Sequence, residues 1–392
     1  MCGTMIDRGQ HIRTVHARTL YDGESIAPLA DQVVTIENGF IAGIQPYADA
    51  TMAMDDAITV DILAPGFIDM QINGAGGIQF NEQPTIEAMA GIAAGARQGG
   101  TAHLLPTFIT APDIDYRAAI DAANAAVASD IPGILGVHLE GPFLSKEKPG
   151  IHPSAYIRPM TRDDVNAVCQ AKGTALLTLA PEEQNSALMR ELRDRGVHLF
   201  AGHSNATAEQ MQSGIEAGIR GVTHLFNSHS PILARDPGIV GAALMNQNLH
   251  AGIIADGIHV HPQNLAMAAR LMGSRLCLVT DAMKTIASTV TTFDLYGTPI
   301  TLNNDRLTGP DGTLAGAHLS MDQAVRNAIV MLDCAPAIAL AMASTNPARA
   351  LDLDNCLGRI KPNYCASFTC LSGDFQPVST IVKGRLFAGS AP

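Results

Sequence analysis

The chain carries no tryptophan, and aromatic residues of all kinds make up 4% of its 392 residues. Hydrophobic residues nevertheless reach 47%, with 36 glycines. That balance suits a packed α/β enzyme and argues against a disordered or fibrous chain. Basic residues are also scarce: 25 Lys and Arg stand against 37 Asp and Glu, for a net charge of −12. Such a field argues against a nucleic-acid or anionic-membrane partner, and an anionic small substrate would need a local basic pocket. The 7 cysteines are odd in number, scattered and without paired CxxC spacing. They read as small buried residues in a reducing compartment rather than as a disulfide framework. No apolar run is long enough to cross a bilayer. No apolar signal segment precedes Cys2, so neither secretion nor lipid attachment is expected there, and the expected location is cytoplasmic. Internal repeats, low-complexity tracts and long charge runs are missing too.

What is present is a rhythm of short apolar runs. Eight of strand type fall at 67–72, 102–108, 134–140, 176–181, 198–203, 221–226, 251–256 and 276–281. Amphipathic segments such as 161–171, 186–195, 206–219 and 262–272 lie between them. Strand and helix alternating about eight times predict an α/β fold, a (β/α)8 TIM-like barrel. The ends differ. Val33 to Ile44 forms two β-branched runs across Asn38-Gly39, a hairpin signal. Ser379 to Phe387 has the same character. A small β-sandwich domain built from both termini is expected, over residues 1–62 and 361–392, with the barrel over 63–360. A β-rich insert is expected around 293–308, turning at Asn303-Asn304, then a helix around 320–332.

Ionisable residues stand where the apolar runs end. Ile134 to Val137 leads into His138-Leu139-Glu140-Gly141-Pro142, and Gly-Pro stops the strand with Glu140 at its mouth. Two later runs end in Gly202-His203 and Thr223-His224, and a fourth ends in Thr280-Asp281. One carboxylate and two imidazoles on three strands suit Zn²⁺ or a similar divalent ion, with positions left for water and substrate. Asp281 then reads as a general base that takes a proton from water and returns it to a leaving amine, or else as a helix N-cap. His152, in a polar loop after Glu140, could polarise a substrate carbonyl or lie on the surface. His259 follows another strand end and suits a sugar hydroxyl or phosphate contact. Asn227 and Arg235 lie in the loop after His224, where the planar guanidinium suits phosphate, or is a solvated charge. Gln71 and Asn73 end the first barrel strand and either hydrogen-bond within the site or cap the strand.

Taken in order, Pro65-Gly66-Phe67-Ile68-Asp69, His138-Leu139-Glu140-Gly141-Pro142-Phe143, Ala201-Gly202-His203-Ser204-Asn205, Thr223-His224-Leu225-Phe226-Asn227, Ala255-Asp256-Gly257-Ile258-His259, Val279-Thr280-Asp281-Ala282 and Gly312-Thr313-Leu314-Ala315-Gly316 resemble the N-acetylglucosamine-6-phosphate deacetylases of the amidohydrolase superfamily over nearly the whole length. The resemblance implies hydrolysis of an acetamide to acetate and an amino-sugar phosphate. It implies metal at Glu140, His203 and His224, an acid/base at Asp281 and carbonyl polarisation by His152. Substrate contacts are implied at Ile151, His152, Asn227, Ser228 and His259, and along Leu314, Ala315, Gly316 and Ala317. It also implies a homodimer in which Arg235 reaches the phosphate in the neighbouring site. Many amidohydrolases carry His-x-His on the first strand; here Gln71-x-Asn73 stands there, so one divalent ion per subunit is expected, Zn²⁺ first, with Fe²⁺, Co²⁺ or Mn²⁺ compatible. Ser228-His229 after Asn227 and Lys284-Thr285-Ile286 after Met283 also depart from the pattern, and leave the amino sugar open. The alternatives are a deacetylase for N-acetylgalactosamine-6-phosphate and, from another class, a non-catalytic sugar-phosphate sensor. A cyclic-amide hydrolase on the same fold would carry His-x-His and a bridging Lys, which this chain lacks.

Overall fold

Eight parallel strands form the centre of the molecule: Phe67–Ile72 (β1), Thr101–Ile109 (β2), Gly136–Glu140 (β3), Thr174–Leu179 (β4), His198–Ala201 (β5), Ile219–Val222 (β6), His250–Ile253 (β7) and Leu276–Leu278 (β8). They hydrogen-bond in sequence order. The computed structural model describes residues 7–50, 57–112 and 115–388; the expectation drawn from the segment around Cys2 lies outside them. All eight expected runs became strands. They are almost wholly buried, which is why they read as apolar runs rather than alternating ones.

The ring closes between β1 and β8 through loop-end contacts. Asp281 N donates to Gln71 O at 2.9 Å and Asn73 N to Ala282 O at 2.8 Å. Just below, the buried Asp69 carboxylate accepts from Thr280 Oγ1 at 2.5 Å and from Thr280 N at 3.3 Å. A polar belt crosses the barrel interior at the level of β3: Thr107 Oγ1 to His138 Nδ1 at 3.1 Å, His138 Nε2 to Thr178 Oγ1 at 2.8 Å, and Thr178 to Thr223 at 2.6 Å. Burial pushes His138 down to about 4, so it is a neutral member of that chain.

The outer helices begin where the sequence supplies a cap. Thr161 and Thr207 each form a capping box, with Asp164 and Gln210 respectively, opening Arg162–Val168 and Ala208–Glu216. Ser186–Asp194 buries Met189 and Leu192 and turns its charged residues outward. Pro262–Met272 starts on a proline at its first position and stops at Gly273, φ 54°. These are the four amphipathic segments of the sequence, trimmed to their caps.

Both termini build one eight-stranded, mostly antiparallel sheet. Its Leu29–Glu37 and Phe40–Pro46 strands turn at Asn38 (φ 51°) and Gly39 (φ 81°), the expected hairpin. The hairpin meets the approach to the C-terminal strands, with Ile41 N to Tyr364 O at 2.8 Å, so the sheet encloses a core of its own that includes Val15, Val34, Leu63 and Phe368. The sheet is seated on the barrel by Thr369 Oγ1, which accepts from Phe67 N at 3.1 Å and donates to Gly100 O at 2.7 Å.

Between β8 and the helix Met321–Leu332 lies the insert: strands Thr292–Leu295, Thr298–Asn303 and Arg306–Thr308. Asn303 pairs with Arg306, so the turn residues are Asn304 and Asp305, one position later than expected. Both take positive φ, 48° and 61°, which Asn and Asp tolerate. The insert packs Phe293, Ile300 and Leu307 against Ile109 and Met283, and so walls one side of the barrel mouth.

Candidate active site

Glu140 is the last residue of β3. His203 and His224 stand two residues past β5 and β6, and Asp281 three past β8. These last three take positive φ, 47°, 30° and 50°. That conformation disfavours non-glycine residues by roughly 1–2 kcal/mol and has to be held by its surroundings. It breaks the alternation of the strand and turns each side chain into the mouth. Gly202 lets β5 approach its neighbours before this turn, since a Cβ there would come 2.5 Å from Thr178 Cγ2.

Three atoms converge. Glu140 Oε1 lies 2.8 Å from His224 Nε2 and 3.1 Å from His203 Nε2, and the two Nε2 atoms are 3.1 Å apart. His203 Nδ1 donates to Lys148 O at 2.9 Å, so its hydrogen is on Nδ1 and its lone pair on Nε2. Two imidazole nitrogens this close cannot both point hydrogens at each other. A carboxylate oxygen and two imidazole lone pairs aimed at one point are the donor set of a divalent cation, and the residues present fit one. Burial alone would raise the Glu140 carboxyl, but the two imidazoles more than reverse it and hold it well below its usual value. Burial alone would lower His224, but Glu140 keeps it above the ordinary imidazole value.

Asp281 faces the three ligands across the cavity. Burial and then the Glu140 charge push its carboxyl up to about 6. Its Oδ1 accepts from Asn73 Nδ2 at 2.7 Å and from Gln71 Nε2 at 3.2 Å. His152 is buried with its ring centroid 4.3 Å from that of His203; burial first and His203 second hold it well below the usual value, so it is neutral near pH 7. His259 Nδ1 donates to Asp256 Oδ2 at 2.6 Å, which fixes the ring and leaves Nε2 for a ligand.

Glu140, His203, His224, Asp281, Asn73, His152 and His259 line a cavity of about 230 Å³. Of the residues expected to touch substrate, Ile151, His152, Asn227, Ser228, His259, Leu314 and Gly316 line it. Three do not. Ala315 is buried in the core of the insert. Ala317 is buried behind the wall, where its N donates to Asp281 O at 2.9 Å. Arg235 is exposed on the loop before the helix Gly238–Met245. Ile109, Ile254 and Met283 line the cavity without having been singled out from the sequence, where they read as ordinary strand and loop residues, and Thr313, inside the Gly312–Gly316 motif but not named there as a contact, lines it too. Among the described residues that line it, none is Lys or Arg.

The amidohydrolase family model matches residues 62–387. An N-acetylgalactosamine-6-phosphate deacetylase of Shewanella sp. (strain ANA-3) is 38% identical over 359 residues, 90% of this chain and 91% of that protein. The N-acetylglucosamine-6-phosphate deacetylase of Haemophilus influenzae is 32% identical over 366 residues, 91% of this chain and 95% of that one. The crystal structure of N-acetylglucosamine-6-phosphate deacetylase from Pasteurella multocida superposes with a TM-score of 0.91 at 31% identity, covering 96% of this chain and 100% of that one.

Proposed function

Because the chain belongs to the amidohydrolase family, among its N-acetylhexosamine-6-phosphate deacetylases, we propose that it hydrolyses the acetamide of N-acetylglucosamine-6-phosphate to acetate and glucosamine-6-phosphate. The observation that carries this reading is the convergence of Glu140 Oε1, His203 Nε2 and His224 Nε2 opposite Asp281 in one cavity. In this reading the three hold one divalent ion per subunit, Zn²⁺ by donor type. When bound, such an ion supplies Lewis acidity and can bring the pKa of water from 15.7 to about 7. Asp281 takes a proton from the attacking water as its oxygen bonds to the acetamide carbon. As the C–N bond breaks, Asp281 returns that proton to the departing amine nitrogen. Neutral His152 donates an N–H to the carbonyl oxygen where negative charge develops. His259, steadied by Asp256, and Asn227 and Ser228 hold the sugar.

The phosphate needs a cation that the cavity lining does not supply. We assign this to Arg235 of a second copy. Its loop carries exposed apolar residues, Ile232 at 50% and Leu233 at 62% exposure, with Met245 at 71% close behind, the kind of patch a partner covers. The protein is thus read as a homodimer that works in the cytoplasm. The Shewanella relative favours a second substrate, the 4-epimer N-acetylgalactosamine-6-phosphate.

Acetate release from both phosphorylated sugars and their unphosphorylated forms tests the reading. Phosphorylated sugars are expected to be strongly preferred, and Arg235→Ala is expected to remove that preference. Equal turnover of the unphosphorylated sugars would overturn the phosphate assignment. Asp281→Asn is expected to lower turnover about 10²–10⁴-fold with the metal retained; normal turnover in that variant would overturn the role of Asp281.

A further inference from the structure

Asp281 is gripped by two amides from the other side of the barrel seam. Gln71 lies in β1 and Asn73 follows it, while Asp281 follows β8. Asn73 Nδ2 donates to Asp281 Oδ1 at 2.7 Å and lies 3.3 Å from the Asp281 carbonyl oxygen. Gln71 Nε2 donates to the same Oδ1 at 3.2 Å and to Glu140 Oε2 at 3.1 Å. The two hydrogens of the Gln71 amide nitrogen are therefore divided between the two carboxylates of the site. Gln71 and Asn73 are both about 2% exposed, and the backbone bonds that close the barrel fix them in place.

We infer that Gln71 and Asn73 are positioning residues that tie down Oδ1 of Asp281 and leave Oδ2 as the oxygen that carries the proton. This rests on the reading of Asp281 as the acid/base. The physical argument is one of donor count. A carboxylate free to turn about its last bond presents either oxygen. Two N–H donors on one oxygen stop that rotation and set the plane of the group. An amide N–H donates and does not accept, so protonating Oδ1 would break a bond with each amide, whereas protonating Oδ2 breaks neither. The side-chain oxygen of Asn73 is buried without a partner among the described residues, so the amide serves Asp281 through its nitrogen alone. The bond from Gln71 to Glu140 adds a second effect: the metal-binding carboxylate and the proton carrier are held at a fixed spacing by one side chain.

The test is a double-mutant cycle on the metal-loaded enzyme. Asn73→Leu keeps the shape of the side chain and removes both N–H groups. It is expected to lower kcat about 10–100-fold, the range seen for groups that orient reacting residues, with KM and bound metal unchanged. Added to Asp281→Asn, it is expected to cost nothing further, because there is no proton-carrying carboxylate left to orient. Asn73→Ala, which also removes the donor, is expected to repeat the pattern, and it serves where Asn73→Leu does not fold. Wild-type kcat in Asn73→Leu beside a disabled Asp281→Asn overturns this inference alone. The same fractional loss from Asn73→Leu in both backgrounds also overturns it, since the residue would then act elsewhere. Normal turnover in Asp281→Asn overturns the acid/base reading, and this inference with it.

Discussion

Strands β5, β6 and β7 carry ionisable residues at both ends of the barrel, and the two ends treat them differently. At the foot stand His198, Arg220 and His250, at or next to the first residue of each strand. At the mouth the same strands run on to His203, His224 and the loop that carries His259. Arg220 at the foot forks onto Asp352, which follows the helix Thr345–Ala350, with Nη2 to Oδ1 at 2.8 Å, and donates from Nη1 to His198 Nδ1 at 3.1 Å. Burial and then Arg220 push His198 and His250 each down to about 4, so both stay neutral. At the mouth the neighbour of the imidazoles is a carboxylate, Glu140, and among the described residues no guanidinium lines the cavity. What a strand-end histidine does is decided by the sign of the charge it meets and by whether lone pairs share a target. At the foot the carboxylate is already taken up by arginine. At the mouth a carboxylate and two imidazoles aim at one point, and among the described residues this is the group whose geometry suits a metal. The division agrees with the general habit of such barrels, with chemistry at the C-terminal ends of strands and stability at the other.

The largest expected effect comes from removing one mouth ligand. His203→Ala should lose the metal and lower turnover by orders of magnitude, as read by metal content and acetate release on one preparation. A chelator should do the same to the parent enzyme, and added Zn²⁺ should restore the parent but not the variant. His198→Ala, on the same strand, should keep its metal and its rate. A folded but inactive His198→Ala would erase the contrast between the two ends.

A smaller effect sharpens the foot. An imidazole held down to about 4 when folded returns to an ordinary 6.5 when unfolded. As pH falls through 6.5 the unfolded chain takes up the proton first. The stability contributed by a neutral His198 is thus complete above about 6.5 and is lost as pH falls toward 4, by roughly 2 kcal/mol at pH 5. The urea midpoint should fall from pH 7 to pH 5, and fall less in His198→Gln. An equal fall in both would show that His198 is not the group responsible.

Much of this contrast is legible in the chain, for a physical reason. A barrel strand is buried on both faces, so it appears as an unbroken apolar run, and any ionisable residue that ends it must face a mouth or a foot. Glu140, His203, His224 and Asp281 stand out in that way. What depends on pairing across strands does not. Gln71 reads from the chain as either a hydrogen-bonding site residue or a strand cap, and it is barrel closure that brings it between Glu140 and Asp281. His138 lies mid-strand, and its threonine partners come from β2 and β4. The acceptor that fixes the His203 tautomer is the backbone carbonyl of Lys148, which no side-chain pattern encodes. The insert turn slipped by one because Asn303 and Asn304 are equally apt for it, and strand pairing decides between them.

The smallest expected effect is at Asp352. Its side chain is 66% exposed, and it meets Arg220 at 30%. A pair so open to solvent is screened, so Asp352→Asn should cost under about 1 kcal/mol despite its forked geometry. Arg220 would still have His198 as an acceptor. The substitution also removes the negative charge that holds His198 up against Arg220. His198 should therefore fall further, and the loss of stability toward pH 5 should become slightly larger rather than smaller. Turnover and metal content should not change. A loss of activity here would mean that β5 and β6 transmit the state of the foot to the ligands at the mouth, and the two ends would have to be treated as one site.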